Sequence, residues 1–342
     1  MLHYFFTQKR ILLFSVIVFI LNACSSVSPS LENKCIAYRA AFDVGSATTK
    51  IKVARVDKCL QKNEATIYKN EIKVPYADNK SSGAFSPEIR NTGIIALARL
   101  KNEAINNQAE AFSGVATESF RQASDTLDFL REIKEKTGIA IKLIDQDQEA
   151  ILGYLAASAA FPGRKKTVIV WDIGGASMQM ILRKNKGFII YRGQTASISF
   201  KEKILLEILQ RKPGTFKSPN PIGKENLKKA IEIASAAAGG VPENIKTAMS
   251  EPDTVILGIG GVHNESIKKQ LKSNARYTQE ELINAVKARI ELNDKDIGGH
   301  YADTEISNLI LVLGFMEKLG IEEIIPVNVN LADGVLIDPV FW

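Results

Sequence analysis

The chain has 342 residues, 45% of them hydrophobic and 24% charged, which is the balance of a globular protein and excludes wholesale disorder and a polytopic membrane protein. That length predicts two lobes rather than one domain. The net charge of +6 suits a polyanionic ligand and an ordinary solvated surface equally, while the lack of a Lys/Arg cluster with interleaved aromatics argues against nucleic acid.

Lys9 and Arg10 precede an apolar run from Ile11 to Leu21, which stops at Asn22-Ala23-Cys24. A basic start, a short apolar stretch and small residues at its end predict an export signal, the run being shorter than the roughly 20 residues of a membrane span. Leu21-Asn22-Ala23-Cys24 resembles the bacterial lipobox. That resemblance implies lipidation at Cys24 after removal of residues 1–23, with 24–34 as a tether and the body held on a membrane of the cell envelope, facing the periplasm or exterior. An uncleaved N-terminal anchor is the alternative.

Ile36 to Val44 is an apolar run, and beyond Gly45 and Ser46 the apolar Ile51 and Val53 alternate with Lys50 and Lys52. This predicts a β-hairpin. Cys35 and Cys59 flank it. A turn centred near Ala47 makes facing residue numbers sum to 94, as 35 and 59 do, and predicts a cross-hairpin disulfide. Two unpaired thiols are the alternative, because a slip of one residue turns the side chains to opposite faces. A strand over 66–74 follows, then a helix over 87–107 with Ser86 as N-cap and Pro87 in its first turn. Strands over 112–117 and 139–144 bracket a helix over 126–136, and a helix over 147–160 ends at Phe161-Pro162-Gly163, the expected boundary between lobe I (35–160) and lobe II (161–342). Lobe II opens as lobe I does: a strand over 167–171 runs into Asp172-Ile173-Gly174-Gly175, and an apolar stretch over 178–182 follows. Helices over 199–210 and 224–238, a strand over 254–257, a helix capped by Thr278 and Glu281, a helix over 304–319 and a strand over 324–329 complete an α/β pattern.

Three turns follow apolar strands: Asp43 to Thr48, Asp172 to Ser177, and Gly258 to Gly261. Glycine and small residues let backbone N–H groups approach an oxyanion, so Gly45, Ser46, Thr48, Gly174, Gly175, Ser177, Gly260 and Gly261 are candidates for gripping phosphate. Asp43 and Asp172 suit a divalent cation, Mg2+ or Mn2+. His263 beside the third turn and His300 after Gly298-Gly299 are further candidates for acid-base or loop roles.

The segments DVGSATTK (43–50) and WDIGGASMQ (171–179) resemble the two phosphate-binding hairpins of the actin, sugar-kinase and Hsp70 superfamily. VATESFRQASD (115–125), LIDQDQEAILGYLAA (143–157) and LADGVLID (331–338) are similar to characteristic segments of the exopolyphosphatase/guanosine pentaphosphatase (Ppx/GppA) family. The resemblance implies a two-lobed, duplicated actin-like (ribonuclease H-like) fold with a cleft between the lobes, and metal-assisted attack of water on a terminal phosphoanhydride. It implies Glu118 and Asp147 as the catalytic acids with Glu149 close by, Arg90 and Arg121 facing phosphates, and polyphosphate or another phosphorylated small molecule as the ligand. A homodimer is compatible with it. Ala47, Ala176, Met178 and Gln179 stand where the family pattern has asparagine, glycine, threonine and glutamate. These departures support an alternative, a binding or sensing protein of the same fold that does not turn over its ligand.

Overall fold

The computed structural model describes residues 34–342 except 78–82, 162, 164–165, 186, 213–214 and 273–274. The expected export signal, lipidated Cys24 and tether up to residue 33 lie outside the described residues.

Two sheets carry the fold. The first has the order β3-β2-β1-β4-β5, built from β1 (Ile36–Val44), β2 (Thr48–Asp57), β3 (Lys62–Lys73), β4 (Ala111–Ala116) and β5 (Ala140–Leu143). The second, β10-β11-β9-β6-β7-β8, uses β6 (Thr167–Ile173), β7 (Met178–Lys184), β8 (Gly187–Gly193), β9 (Thr254–Ile259), β10 (Tyr277–Thr278) and β11 (Glu323–Pro326). In both, the first three strands run antiparallel and the next two parallel to the first, and the second sheet adds one short edge strand. The duplication read from the two Asp-Gly turns thus extends to whole sheets.

Central strands are buried on both faces, which is why β1 and β6 read as continuous apolar runs rather than alternating ones. On one face of the first sheet Phe42, Val44, Ile51 and Val53 pack with α1 (Pro87–Asn106) and α3 (Thr126–Thr137). On the other face Ala41, Ala54 and Val115 meet α8 (Leu331–Ile337). In the second sheet Ile169, Trp171 and Met180 face α5 (Leu227–Ala238) and α7 (Ala302–Leu319), and Val170, Ile181 and Leu257 face α4 (Gln146–Ala160). Helix α7 is buried nearly all round, as its even hydrophobicity requires. Its Gly314 lets α5 approach so closely that a Cβ there would sit 2.6 Å from Ala234 Cβ.

The inner layer between the sheets corrects the expected boundary near residue 160. Helix α4, assigned to the end of lobe I, packs on the second sheet, and α8, assigned to lobe II, packs on the first. The two helices touch backbone to backbone, since a Cβ on Gly334 would lie 2.5 Å from the Leu152 carbonyl oxygen. Each lobe therefore lends the other a helix, a pairing that local periodicity does not encode.

Cys35 and Cys59 form a disulfide with Cα atoms 5.3 Å apart. The ladder pairs Ile36 with Asp57 and Val44 with Thr49, one residue off the expected register. The bridge forms regardless because both cysteines lie beyond the paired strands, where Cys59 N donates to Asp57 Oδ1 and strand alternation no longer governs direction. Smaller differences are an unanticipated strand β8, a short helix at Glu118–Gln122 (α2), and a helix over Ser197–Lys203 that widens to π geometry over Ile204–Ile208 where one helix over 199–210 was expected.

Candidate active site

In β1 the neighbours of Asp43, Phe42 and Val44, point to the outer helices, so period-two alternation aims Asp43 at the inner layer. Trp171 and Ile173 do the same for Asp172. The two aspartates thus face one another across the gap that the turns after β1 and β6 close. Those turns are closed by equivalent hydrogen bonds: Gly45 N donates to Thr48 O at 3.0 Å, and Gly174 N to Ser177 O at 3.0 Å. The registers also match. Val115, Asp43, Lys50 and Glu71 lie side by side across the first sheet, as Ile259, Asp172, Gln179 and Arg192 do across the second.

The third turn completes the floor. Gly260 has φ of +84°, and a Cβ there would stand 2.5 Å from Asp172 Oδ1 and 2.7 Å from the Ile173 carbonyl oxygen, so only glycine fits. Asn264 Nδ2 braces this turn by donating to Val327 O at 2.9 Å and Gly260 O at 3.3 Å. Gly261 has open space at its Cβ position.

Neither Asp43 nor Asp172 has a hydrogen-bond or ion-pair partner among the described residues, an arrangement that a carboxylate tolerates poorly once water is removed. Burial pushes Asp172 up to about 6, the charge of Asp43 adding and Lys50 opposing. Asp172 keeps a partly exposed edge, yet protein surrounds it densely enough for desolvation to dominate. Burial also raises Asp43, opposed by Lys50, with Asp333 and Glu71 adding to the rise. Two unpaired carboxylates facing each other, Asp43 buried and Asp172 half-buried, fit a divalent cation, which they would hold. Gln179, opposite Asp172 and 1% exposed, gives such an ion no third carboxylate.

Glu149 is the third acid of this group. It sits on α4, four residues before Gly153, whose Cβ position lies 3.8 Å from Asp172 Oδ2, so one helix face carries both toward the second turn. Burial pushes Glu149 up to about 8, opposed by Arg121, with Asp172 and Asp43 adding. Asp147 is elsewhere. Two positions along a helix are about 200° around it, and Asp147 forms an ion pair at the rim with Arg192 of β8, its side chain 43% exposed. The expected ranking of Asp147 above Glu149 is thereby reversed in geometry.

Arg121, expected to face phosphate, instead ties the acids together. Its Nε and Nη2 donate to Glu118 Oε2 at 3.0 and 2.6 Å, and its Nη1 donates to Ile144 O at 2.9 Å and lies 2.9 Å from Glu149 Oε2. Arg90 is remote from this group. It joins α1 to α3 through Glu132 at 2.6 Å and Asp125 at 3.1 Å and lies over Phe129. His263 is fully buried, paired with the Tyr277 hydroxyl and pushed down to about 3 by burial, which makes it a neutral core residue. His300 contacts Lys73 of β3 at the surface. Sequence reading missed Lys50, which acts on both aspartates. Its signal was available, since Lys50 follows Asp43 by the interval at which Gln179 follows Asp172.

Duplicated sheets with paired Asp-Gly turns and acids between them define a two-lobed, actin-like α/β protein. The profile of the Ppx/GppA phosphatase family matches residues 66–340, and the chain belongs to that family. It is similar to the solved Aquifex aeolicus Ppx/GppA family member, with a TM-score of 0.70 at 19% identity over 89% of this chain and 98% of that one. An exopolyphosphatase structure from Cytophaga hutchinsonii gives a TM-score of 0.68 at 14% identity over 87% and 96% of the two chains. A 158-residue stretch is 23% identical to a bifunctional 3-dehydroquinate synthase/phosphatase of Fusobacterium nucleatum, spanning 44% of this chain and 23% of that protein.

Proposed function

We propose that the chain releases terminal phosphate from polyphosphate or a related phosphoanhydride in the cleft between the two sheets. The observation that carries this reading is the convergence of Asp43, Asp172 and Glu149 at paired glycine turns closed by the same hydrogen bond. Gly45 and Gly174 shape the turns by donating to Thr48 O and Ser177 O, and the backbone N–H groups of Ser46, Thr48, Gly175, Ser177, Gly260 and Gly261 donate to phosphoryl oxygens. Mg2+ or Mn2+ held by Asp43 and Asp172 would supply charge neutralisation. Glu149 takes the proton of the attacking water, and Glu118, fixed by Arg121, orients that water. Lys50 offsets the negative charge of the two aspartates.

The test is phosphate release from long-chain polyphosphate with Mg2+ or Mn2+. Wild type and Asp147→Asn are expected to release phosphate, whereas Glu149→Gln and Glu118→Gln lose about a hundredfold or more. Release that survives both glutamate substitutions sinks the assignment. A second reading, a binding protein without turnover, is favoured by Gln179 in place of a carboxylate; tight polyanion binding with no release would establish it.

We further propose that the protein is an exported lipoprotein. The Cys35–Cys59 disulfide supports this, because such bonds persist in oxidising compartments. Membrane-fraction labelling that is lost in Cys24→Ser is the expected result.

A further inference from the structure

A contact between the two lobes spans the mouth of the gap and serves none of the roles above. Tyr68 and Ile72 of β3 pack toward the outer helices, so strand alternation turns Glu71 and Lys73 to the gap, and Lys73 pairs with Thr48 at the lip of the first turn. The other lobe reaches across from the stretch between the short helix Asp294–Ile297 and α7. There Gly298 and Gly299 take φ of +68° and +86°, a bend that two glycines allow, and His300 then meets β3. Lys73 Nζ donates to His300 Nε2, and the charges of Glu71 and Lys50 both act on the Tyr301 hydroxyl.

Charge and spacing narrow what this mouth holds. Lys73 and His300 are exposed, and neither has a carboxylate partner among the described residues, whereas Lys269 beside Gly299 is paired with Glu305. Two basic groups that meet without an acid suit an anion. β3 lies two strand spacings from β1, roughly 10 Å, so the pair serves a phosphate farther along a chain than one gripped between Asp43 and Asp172. A non-terminal phosphoryl group carries one negative charge and two free oxygens, one for each of two donors.

We propose that Lys73 and His300, one from each lobe, bind a non-terminal phosphate of a phosphoanhydride chain. Lys73 donates to one free oxygen and the Nε2–H form of His300 to the other, in place of their contact with each other. The pair thereby selects long chains over pyrophosphate, a role that rests on the phosphate reading of the gap.

Phosphate release is measured with Mg2+ on long-chain polyphosphate and on pyrophosphate. Lys73→Ala and His300→Ala are each expected to raise KM for the long chain about tenfold, the size of one hydrogen bond to a charged group. The kcat stays unchanged, as does the KM of pyrophosphate, or its Ki where it binds without being cleaved, and Lys73→Arg keeps the long-chain KM of wild type. Lys62→Ala, at the far end of β3, is the control for net charge and is expected to change nothing. An unchanged long-chain KM in either alanine variant, an equal rise for pyrophosphate, or an equal effect of Lys62→Ala would overturn the proposal and leave the phosphate reading in place. If wild type releases no phosphate, calorimetric titration with the same two probes decides by the same shifts in Kd. Absence of binding by either probe would remove the phosphate reading and this subsite with it.

Discussion

The two hairpins share a turn, a register and an inward-facing aspartate, yet their side-chain rows carry different charge. Across the first sheet Asp43 is followed by Lys50 and Glu71, so a cation sits beside the acid. Across the second, Asp172 is followed by the neutral Gln179 and then by Arg192, whose charge is already matched by Asp147. The backbone of each hairpin is set by its ladder and its turn, which need only apolar strands and glycine. The side chains facing the gap are free to diverge. The acid that joins the two rows, Glu149, comes from neither hairpin but from the helix between the sheets.

The sharpest break of that comparison is at Glu149. Glu149→Gln is expected to lower phosphate release by about 10²–10⁴-fold, as for loss of a general base, whereas Asp147→Asn changes it only a few-fold. Next is the staple that only the first hairpin has. Replacing Cys35 and Cys59 by serine is expected to cost about 3 kcal/mol for a loop of this length, read in urea melts under oxidising conditions, with no matching loss on reducing the double variant. Gly260→Ala puts a methyl group against Asp172 at a backbone angle that L residues avoid, and should cost about 1–3 kcal/mol and lower activity.

Gln179→Glu makes the second row more acidic. In thermal melts the Mg2+ concentration giving half-maximal stabilisation should fall several-fold, while the metal-free protein loses stability at alkaline pH. In pH dependence two buried groups act in opposite directions. Glu149 is raised from 4.5 to about 8, so without metal its contribution is fully present below 4.5 and is lost as pH climbs toward 8. His263 is depressed from 6.5 to about 3, so its contribution is present above 6.5 and lost as pH falls toward 3. Melting temperature should therefore fall at both ends, with Glu149→Gln flattening the alkaline limb and His263→Gln the acid one.

The legible parts of the molecule were those written in consecutive residues. Asp43 and Asp172 stood out because each ends an apolar strand before a glycine turn, and Ser86 and Thr278 because caps are local. The disulfide was legible even though the register was off by one, because the cysteines lie past the ladder. Arg90 and Arg121 misled because an arginine near a motif carries no sign of its partner. Glu132, Asp125, Glu118 and Glu149 claim them only once α1, α3, α2 and α4 have packed.

The lipobox-like Cys24, the paired Asp-Gly turns and the α/β alternation are properties of the sequence by itself, because short-range sterics and period-two or helical spacing fix them. Tertiary structure alone decided that α4 and α8 exchange lobes, that Glu149 rather than Asp147 joins the aspartates, and that Lys50 faces both. Those outcomes depend on which faces of distant elements meet, and on water leaving the gap between them: desolvation lifts Glu149 to about 8, whereas Asp147, two residues away, stays at the rim with Arg192.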